Sequence, residues 1–387
     1  MNKISILIDI ALIAIVISSC TRDKNHIQNG LKTTDININK INNKNHISFD
    51  AITSKLAFVR LESKKNCYIA TINKVIQTGK YYLILDKTQS RLFVFDTLGT
   101  FQHTIGHRGI GPESFRDITS IAFINNKQHI IIHSNRDMAL FIYSIEGKLL
   151  QRNKIDFFAH QMCKVNNNVL VFYVNNYNPA GYNLIYTDIK GKIIHQASPI
   201  SKDMPEQAFS FIGGLSQGNG YPLFSEIKSN TIARISDTVL QPIYNINISN
   251  NQLSTNSDKT ALNQILNFHI DFFHNTFSEN KKALYLKYQI GHQLYKAVYS
   301  KKTKKLYTKG NFVHNYMYEF FRHLSCPLGF TLDGAFISCL NADRAIRLKN
   351  LEKDLQNSHS DKERLVKKVL NKMDETSNPI LIIYDFK

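Results

Sequence analysis

The stretch FQHTIGHRGIGPESF, residues 101–115, sets His107 and Arg108 side by side among Gly106, Gly109 and Gly111. An imidazole and a guanidinium in a glycine-rich loop together present donors suited to a polar or anionic ligand. A phosphate-cradling loop needs more than this: a Lys followed by Ser or Thr after the glycines, or G-x-G-x-x-G opening a helix. Here the spacing is G-x-x-G-x-G, Pro112 follows Gly111 directly, and the strand-like DITSIAFI comes next. The stretch therefore reads as a tight corner between two sheet units, in which small residues serve any position of positive φ, with His107 and Arg108 as its candidate ligand-binding pair.

Other reactive residues are dispersed. No nucleophile elbow and no H-E-x-x-H helix is expected, so no catalytic residue is assigned. His269 and His274, five apart on a strand, would face opposite sides, and no metal or cofactor is expected. Cys67, Cys163, Cys326 and Cys339 form no C-x-x-C pair, which argues against a zinc site. CPLGFTLDGAFISC reads as a hairpin turning on Asp333-Gly334. That turn sets Leu328 opposite Cys339 and Cys326 one diagonal away, at roughly 7 Å. Such a spacing is near the outer limit for a disulfide, so these are expected to be buried free thiols. Residues 301–309 are the densest basic stretch, a solvated hairpin face or an anionic contact site. Asp86, Arg91 and Asp96 frame a hairpin and are expected to cap turns or bridge.

The elements that must position these residues are short and repetitive. From residue 68 onward, apolar runs alternate with turn signals, and helical periodicity is nearly absent until the last fifth. YYLILD, RLFVFD and FQHTIG make a three-strand meander. ITSIAFI, QHIIIHS, ALFIYSI and KLLQRNKI repeat it, as do QMCKV, NVLVFYV, YNLIYTDI and KIIHQASP. Each lap takes roughly 40 to 50 residues, the period of a propeller blade. A fourth lap (FSFIGGLS, GYPLFSEI, NTIARIS, LQPIYNINI), a fifth from FHIDFF to TKGNF, and an interrupted sixth complete a six-bladed β-propeller. Residues 342–376 read as two helices inserted in the last blade. Leu348, Leu351 and Leu355 form one apolar stripe, Val366, Val369, Leu370 and Met373 the other, with Lys349, Lys353, Lys367 and Lys372 toward solvent. Ser360 with Glu363 fits a capping box. Residues 47–76 are expected to complete the sheet that ends in ILIIYDF, closing the ring and hiding its edges.

The N-terminus reads as an address. MNKISILIDIALIAIVISSC has a basic Lys3, an apolar core interrupted by Asp9, and small residues before Cys20. ISSC resembles a bacterial lipobox, which makes residues 1–19 a lipoprotein signal peptide and Cys20 the lipidation site; an ordinary secretory signal or an uncleaved anchor is the alternative. Residues 20–46 follow as a flexible tether, then the propeller, 47–387. In CTRDKN, the residues just after the cleavage site, Asp23 is the only acid, which favours an outer-membrane anchor facing the periplasm. The chain's 387 residues, 43% of them hydrophobic, suffice for a well-buried core. Its net charge of +18 comes with abundant Asn and Ile, so no nucleic-acid partner is expected. Such a surface favours acidic partners, anionic head groups or acidic glycans.

The run from LAFVRLESKKNCYIATINKVIQTGKYYLILD through GIGPESF, with GYPLFSEIKSNTIARISDTVLQPIY and the terminal DETSNPILIIYDFK, resembles the bacterial six-bladed β-propeller lipoproteins, relatives of NHL-repeat propellers. The resemblance implies a propeller exported to the envelope and commonly lipid-anchored. It leaves two functions open: a noncatalytic module binding an envelope protein or glycan, or an NHL-like lyase or hydrolase with a metal in the channel. The family's corner usually runs Gly-x-Gly-Pro-Gly-Glu-Phe or Tyr. Here Glu113 and Ser114 stand where that pattern has Gly and Glu, so no role of the family's acid is carried over.

Overall fold

Turn residues cut this chain into runs too short for helices and rich in β-branched and aromatic side chains, so each run becomes a strand paired with its successor across a tight turn. The computed structural model describes residues 33–38, 47–174, 181–200, 214–218, 220–226, 229–248, 272–290, 293–308, 311–351 and 360–387. β1 (Thr34–Ile38), the helical turn α1 (Phe49–Ile52) and β2 (Thr53–Arg60) precede the first complete blade. That blade is β3 (Lys74–Gln77), β4 (Tyr81–Asp86), β5 (Arg91–Asp96) and β6 (Phe101–Thr104). The second is β7 (Ser120–Ile124), β8 (His129–Ser134), β9 (Ala139–Ser144) and β10 (Leu149–Lys154). The third is β11 (Gln161–Lys164), β12 (Val169–Tyr173), β13 (Tyr182–Asp188) and β14 (Ile193–Pro199). The fourth holds β15 (Leu215–Gln217), β16 (Pro222–Phe224), β17 (Thr231–Ser236) and β18 (Val239–Ile248), and the fifth β19 (Phe272–Glu279), β20 (Ala283–Ile290), β21 (Gln293–Ser300) and β22 (Leu306–Tyr307). The sixth runs β23 (Gly329–Phe330), β24 (Phe336–Leu340), β25 (Ile380–Phe386) and then β2. The result is a six-bladed β-propeller.

Successive side chains of a strand enter opposite wedges between blades. Ile84 of β4 packs toward the sixth blade with Ile337 and Leu381, whereas Leu85 packs toward the second with Ile121 and Ile132. Six such wedge cores go round the ring. Strand direction alternates within a blade, so the loops between second and third strands share one face with the crossovers from blade to blade.

The ring closes at two radii. On the outside, β2 pairs antiparallel with β25, from Thr53 opposite Phe386 to Arg60 opposite Ile380. On the inside, Val75 N–H donates to Leu328 C=O at 2.9 Å. A Cβ on Gly329 would lie 2.0 Å from Val75 O, so only glycine fits that approach. The expected closing segment, 47–76, is thus divided. Its first part closes the sixth blade, while Lys74–Gln77 is the innermost strand of the first.

Three further features depart from the sequence reading. Within the stretch expected to be a tether, β1 adds a parallel fifth strand to the fourth blade, with Ile36 and Ile38 buried and Asn247 donating to Asn37 Oδ1 at 3.0 Å. A helix, α2 (Tyr316–His323), links the fifth and sixth blades; Asn315 Oδ1 accepts from Tyr318 N–H at its start, and the Lys296 ammonium bonds the Phe321, Arg322 and Leu324 carbonyls at its end. The 331–335 turn is longer than a two-residue Asp-Gly hairpin, because Thr331 N–H bonds Ala335 C=O. Gly329 therefore pairs with Ile337, and the register is one residue off the expected one. Cys67, Cys163, Cys326 and Cys339 are all free thiols; three are buried and Cys326 is half-buried.

The insert between β24 and β25 contains α3 (Ala342–Leu351) and α4 (Asp361–Leu370). Leu348, Val366, Leu370 and Met373 are buried in the core of the fifth and sixth blades, and Ser360 Oγ accepts the Glu363 N–H as N-cap. Lys372 is exposed as expected, but Lys367 is not: it pairs with buried Glu363 at 2.9 Å and lies over the Tyr316 ring. Lys349 bonds the Met373 carbonyl. Leu355 and Lys353 lie outside the described residues.

Candidate functional site

The innermost strands are short, and their polar residues sit near the strand ends, which places them along the channel. Lys74 opens β3, Ser120 opens β7, Gln161 opens β11 and Lys164 closes it. They frame a central cavity of about 430 Å³, whose wall also includes Asn73, Gln77, Lys87, Asn125, Ser216 and Gln217. Neighbouring inner strands are tied by side chains as well as backbone. The Lys74 ammonium donates to the Ile121 and Met162 carbonyls at 2.8 and 3.2 Å, linking three blades across the channel. Met162 N–H donates to Ser120 Oγ, and Leu215 N–H to Gln161 Oε1.

The wall's charge is one-sided. Among the described lining residues there are three lysines and no Asp, Glu or His. Burial lowers the pKa of Lys74 and of Lys164, whose ammonium donates to Asn125 Oδ1 at 2.6 Å. Lys87 is exposed as a residue, yet enough protein surrounds its ammonium that burial, helped by the Lys74 charge and opposed by Asp117, lowers its pKa to about 8. Its ammonium has no hydrogen-bond or ion-pair partner among the described residues. An unpartnered cation in a partly dehydrated setting attracts an anion more strongly than one in bulk water.

The amides add to this. Gln77 Oε1 accepts Leu332 N–H, Gln161 Oε1 accepts Leu215 N–H, Asn73 Oδ1 accepts Lys87 N–H, and Asn125 Oδ1 accepts from Lys164. In each the carbonyl oxygen is used by the protein and the NH₂ group is left over. The wall is therefore rich in donors, both charged and neutral.

A family described as "Domain of unknown function (DUF4934)" matches residues 32–385. The chain belongs to this family. No curated protein matches it in sequence. Among solved structures, a protein of Bacteroides fragilis described as exported is similar at 18% identity and TM-score 0.72, over 92% of this chain and 100% of its own. A member of the DUF4221 family from Bacteroides vulgatus is similar at 10% identity and TM-score 0.52, over 87% of this chain and 98% of its own. Both likenesses are of fold.

In this DUF4934 propeller, His107 and Arg108 lie in the crossover between the first two blades, both exposed, and neither lines the channel. The corner around them is self-contained. Gly109 N–H bonds Phe115 C=O, Phe115 N–H bonds His107 C=O, and Phe115 is buried edge-on against Phe141. Within the corner only Gly106 has a positive φ, +60°; Gly109 and Gly111 do not. Asp86 is a turn cap: its carboxylate accepts from the N–H groups of Ala70, Thr71 and Gln89. Asp96 accepts from Leu98 and Thr100 N–H, and Arg91 bonds Asn66 C=O. Lys301 and Lys302 of the basic stretch gather with Lys281, Lys282 and Lys387, but Lys301 pairs with Glu279 and Lys282 with Asp385. Cys20 and His269 lie outside the described residues, as does the side chain of His274.

Residues 214–218, GLSQG, carry the letters of a nucleophile elbow that the sequence reading did not assign. They form inner strand β15 instead of a strand-to-helix turn, so Ser216 lines the channel without the strained geometry that exposes a nucleophile. The channel lysines were missed as well. Their one signal was a charged residue beginning KVIQ or ending QMCK, where a buried strand should be apolar.

Proposed function

We propose that this chain is a noncatalytic binding module of the bacterial cell envelope, recognising a protein or glycan and held by lipid on Cys20 at the outer membrane, facing the periplasm. The binding half of the reading is carried by the channel, a preformed cavity with convergent donors and no acid/base pair among its described residues. The location is supported by the apolar N-terminal segment ending in ISSC and by the exported Bacteroides fragilis neighbour. A metal-dependent lyase or hydrolase would draw on carboxylate or imidazole ligands. Among the described residues no group of three or more His, Cys, Asp or Glu stands close enough to hold a metal ion. His107 and Arg108, on the crossover face that also carries the helical insert, are candidate contacts for a partner.

The test is retention without conversion. Detergent-solubilised lipoprotein presented with arrayed envelope glycans and proteins should hold a ligand whose mass is unchanged on release; a released ligand of altered mass would make the protein an enzyme. Intact-mass spectrometry of the mature chain should show a lipid on Cys20 as its first residue, and an unmodified Cys20 would overturn the anchor.

A further inference from the structure

The donor-rich wall specifies what would complement it. Lys74 and Lys164 are already fixed, one to two backbone carbonyls and the other to Asn125, so they supply a standing positive field. The Lys87 ammonium has no partner among the described residues, and the NH₂ groups of Asn73, Gln77, Asn125 and Gln161 are left over by the bonds their carbonyl oxygens make. Nothing anionic in the described lining balances the three ammonium groups. The cavity, at about 430 Å³, falls in the range of small organic ligands and is far larger than an inorganic oxyanion requires. Phe123, Phe277 and Phe330 contribute to its wall and offer apolar surface against which a ring can lie.

We propose that the central channel binds an acidic sugar of the uronic acid class, free or as the end unit of a glycan, with its carboxylate on Lys87 and its hydroxyl oxygens on the amide NH₂ groups. The ammonium-to-carboxylate bonds are charge-assisted and supply the selectivity for an acid. The amides recognise the acceptor oxygens that distinguish a sugar acid from a fatty acid. This assignment rests on the reading of the protein as a binding module and names the ligand class for its channel.

Calorimetric titration of the full mature protein with galacturonate, trigalacturonate and galactose tests it. At least one acid should bind, and galactose should not. Lys87→Gln, with a melting temperature near that of the parent, should weaken binding tenfold or more. Tighter binding of trigalacturonate than of galacturonate identifies a glycan end, and equal binding a free sugar. Galactose binding as tightly as galacturonate, no binding of either acid, or unchanged affinity in the folded Lys87→Gln variant would overturn the proposal. Retention of an arrayed envelope ligand that is equal in the parent and in Lys87→Gln would leave the binding-module reading standing while placing its site elsewhere.

Discussion

The glycine corner at 106–115 and the inner seam of the ring are both built on glycine, yet they are held together differently. In the corner, His107, Gly109 and Phe115 bond one another within a few residues, and the next blade adds the Phe141 and Tyr143 rings and the Tyr143 hydroxyl, which donates to Glu113 C=O at 3.0 Å. At the seam, Val75 and Gly329 meet across some two-thirds of the chain, and neither has a local reason to be where it is. A corner can be read from one contiguous stretch. A seam or a channel wall exists only once the blades are arranged around an axis, and the channel lysines belong to this second kind.

The largest effect should fall on the seam. In Gly329→Val the new Cβ would lie 2.0 Å from a backbone oxygen whose own residue is bonded to Leu328, so neither side can yield cheaply. Overpacking costs about 1 to 3 kcal/mol, and against backbone the upper end or beyond is expected. Urea denaturation should show a loss of about 3 kcal/mol or more. A stability equal to the parent's would mean that the ring does not close at this point.

The next effect depends on pH and lies between the second and third blades. His133 is fully buried, neither ring nitrogen has a partner among the described residues, and its ring packs edge-on to Phe172. Burial lowers its pKa to about 4, with Asp117 acting in the opposite direction and Lys87 reinforcing the shift. The unfolded chain, with an ordinary imidazole, takes up a proton below about pH 6.5 that the folded protein refuses. Stability should therefore fall as pH drops from 6.5 toward 4, by an amount on the order of 3 kcal/mol, and His133→Leu should flatten that part of the profile. An unchanged slope in His133→Leu would transfer the acid sensitivity to the carboxylates.

These contrasts explain what was legible in the sequence. Blades announce themselves because most of their strands pair with a chain neighbour across a turn such as Lys87 to Ser90, so the pattern is local. β1 does not announce itself: TDINI pairs in parallel with residues some 210 positions away, where no turn marks the partnership. The helix YMYEFFRH was hidden by its aromatic residues, which favour strands by propensity. Its start was signalled only by Asn315, and tertiary burial of Met317, Phe320 and Phe321 decides the outcome. The channel lysines were illegible because Lys74 and Lys164 lie on strands of different blades and Lys87 in a turn. Their shared role comes from the axis, not from spacing.

Within the corner the glycines should separate. Gly106→Ala meets both a positive φ and the Phe115 and Tyr143 rings at 2.7 Å, for a cost of about 1 to 3 kcal/mol. Gly111→Ala meets only Ser114 Oγ at 3.5 Å and should stay within about 0.5 kcal/mol of the parent. Gly109→Ala, 3.0 Å from the same movable hydroxyl, should fall between them. Thermal melts of the three variants give the ranking, and equal losses would mean that the corner's backbone is not fixed by Gly106.

The smallest effect is expected at His107 and Arg108. Both side chains are exposed and have no partner among the described residues, so truncation removes no contact on which the fold depends. His107→Ala and Arg108→Ala should each change stability by less than about 0.5 kcal/mol. The same two variants then decide whether the corner and the channel differ in kind. If both retain galacturonate as the parent does, the basic pair is separate from the channel and the contrast between a local corner and a distributed site stands. If either loses the acid without a fall in melting temperature, the crossover loop reaches the channel mouth when ligand is bound. The corner would then join the lysines in one site assembled from several blades.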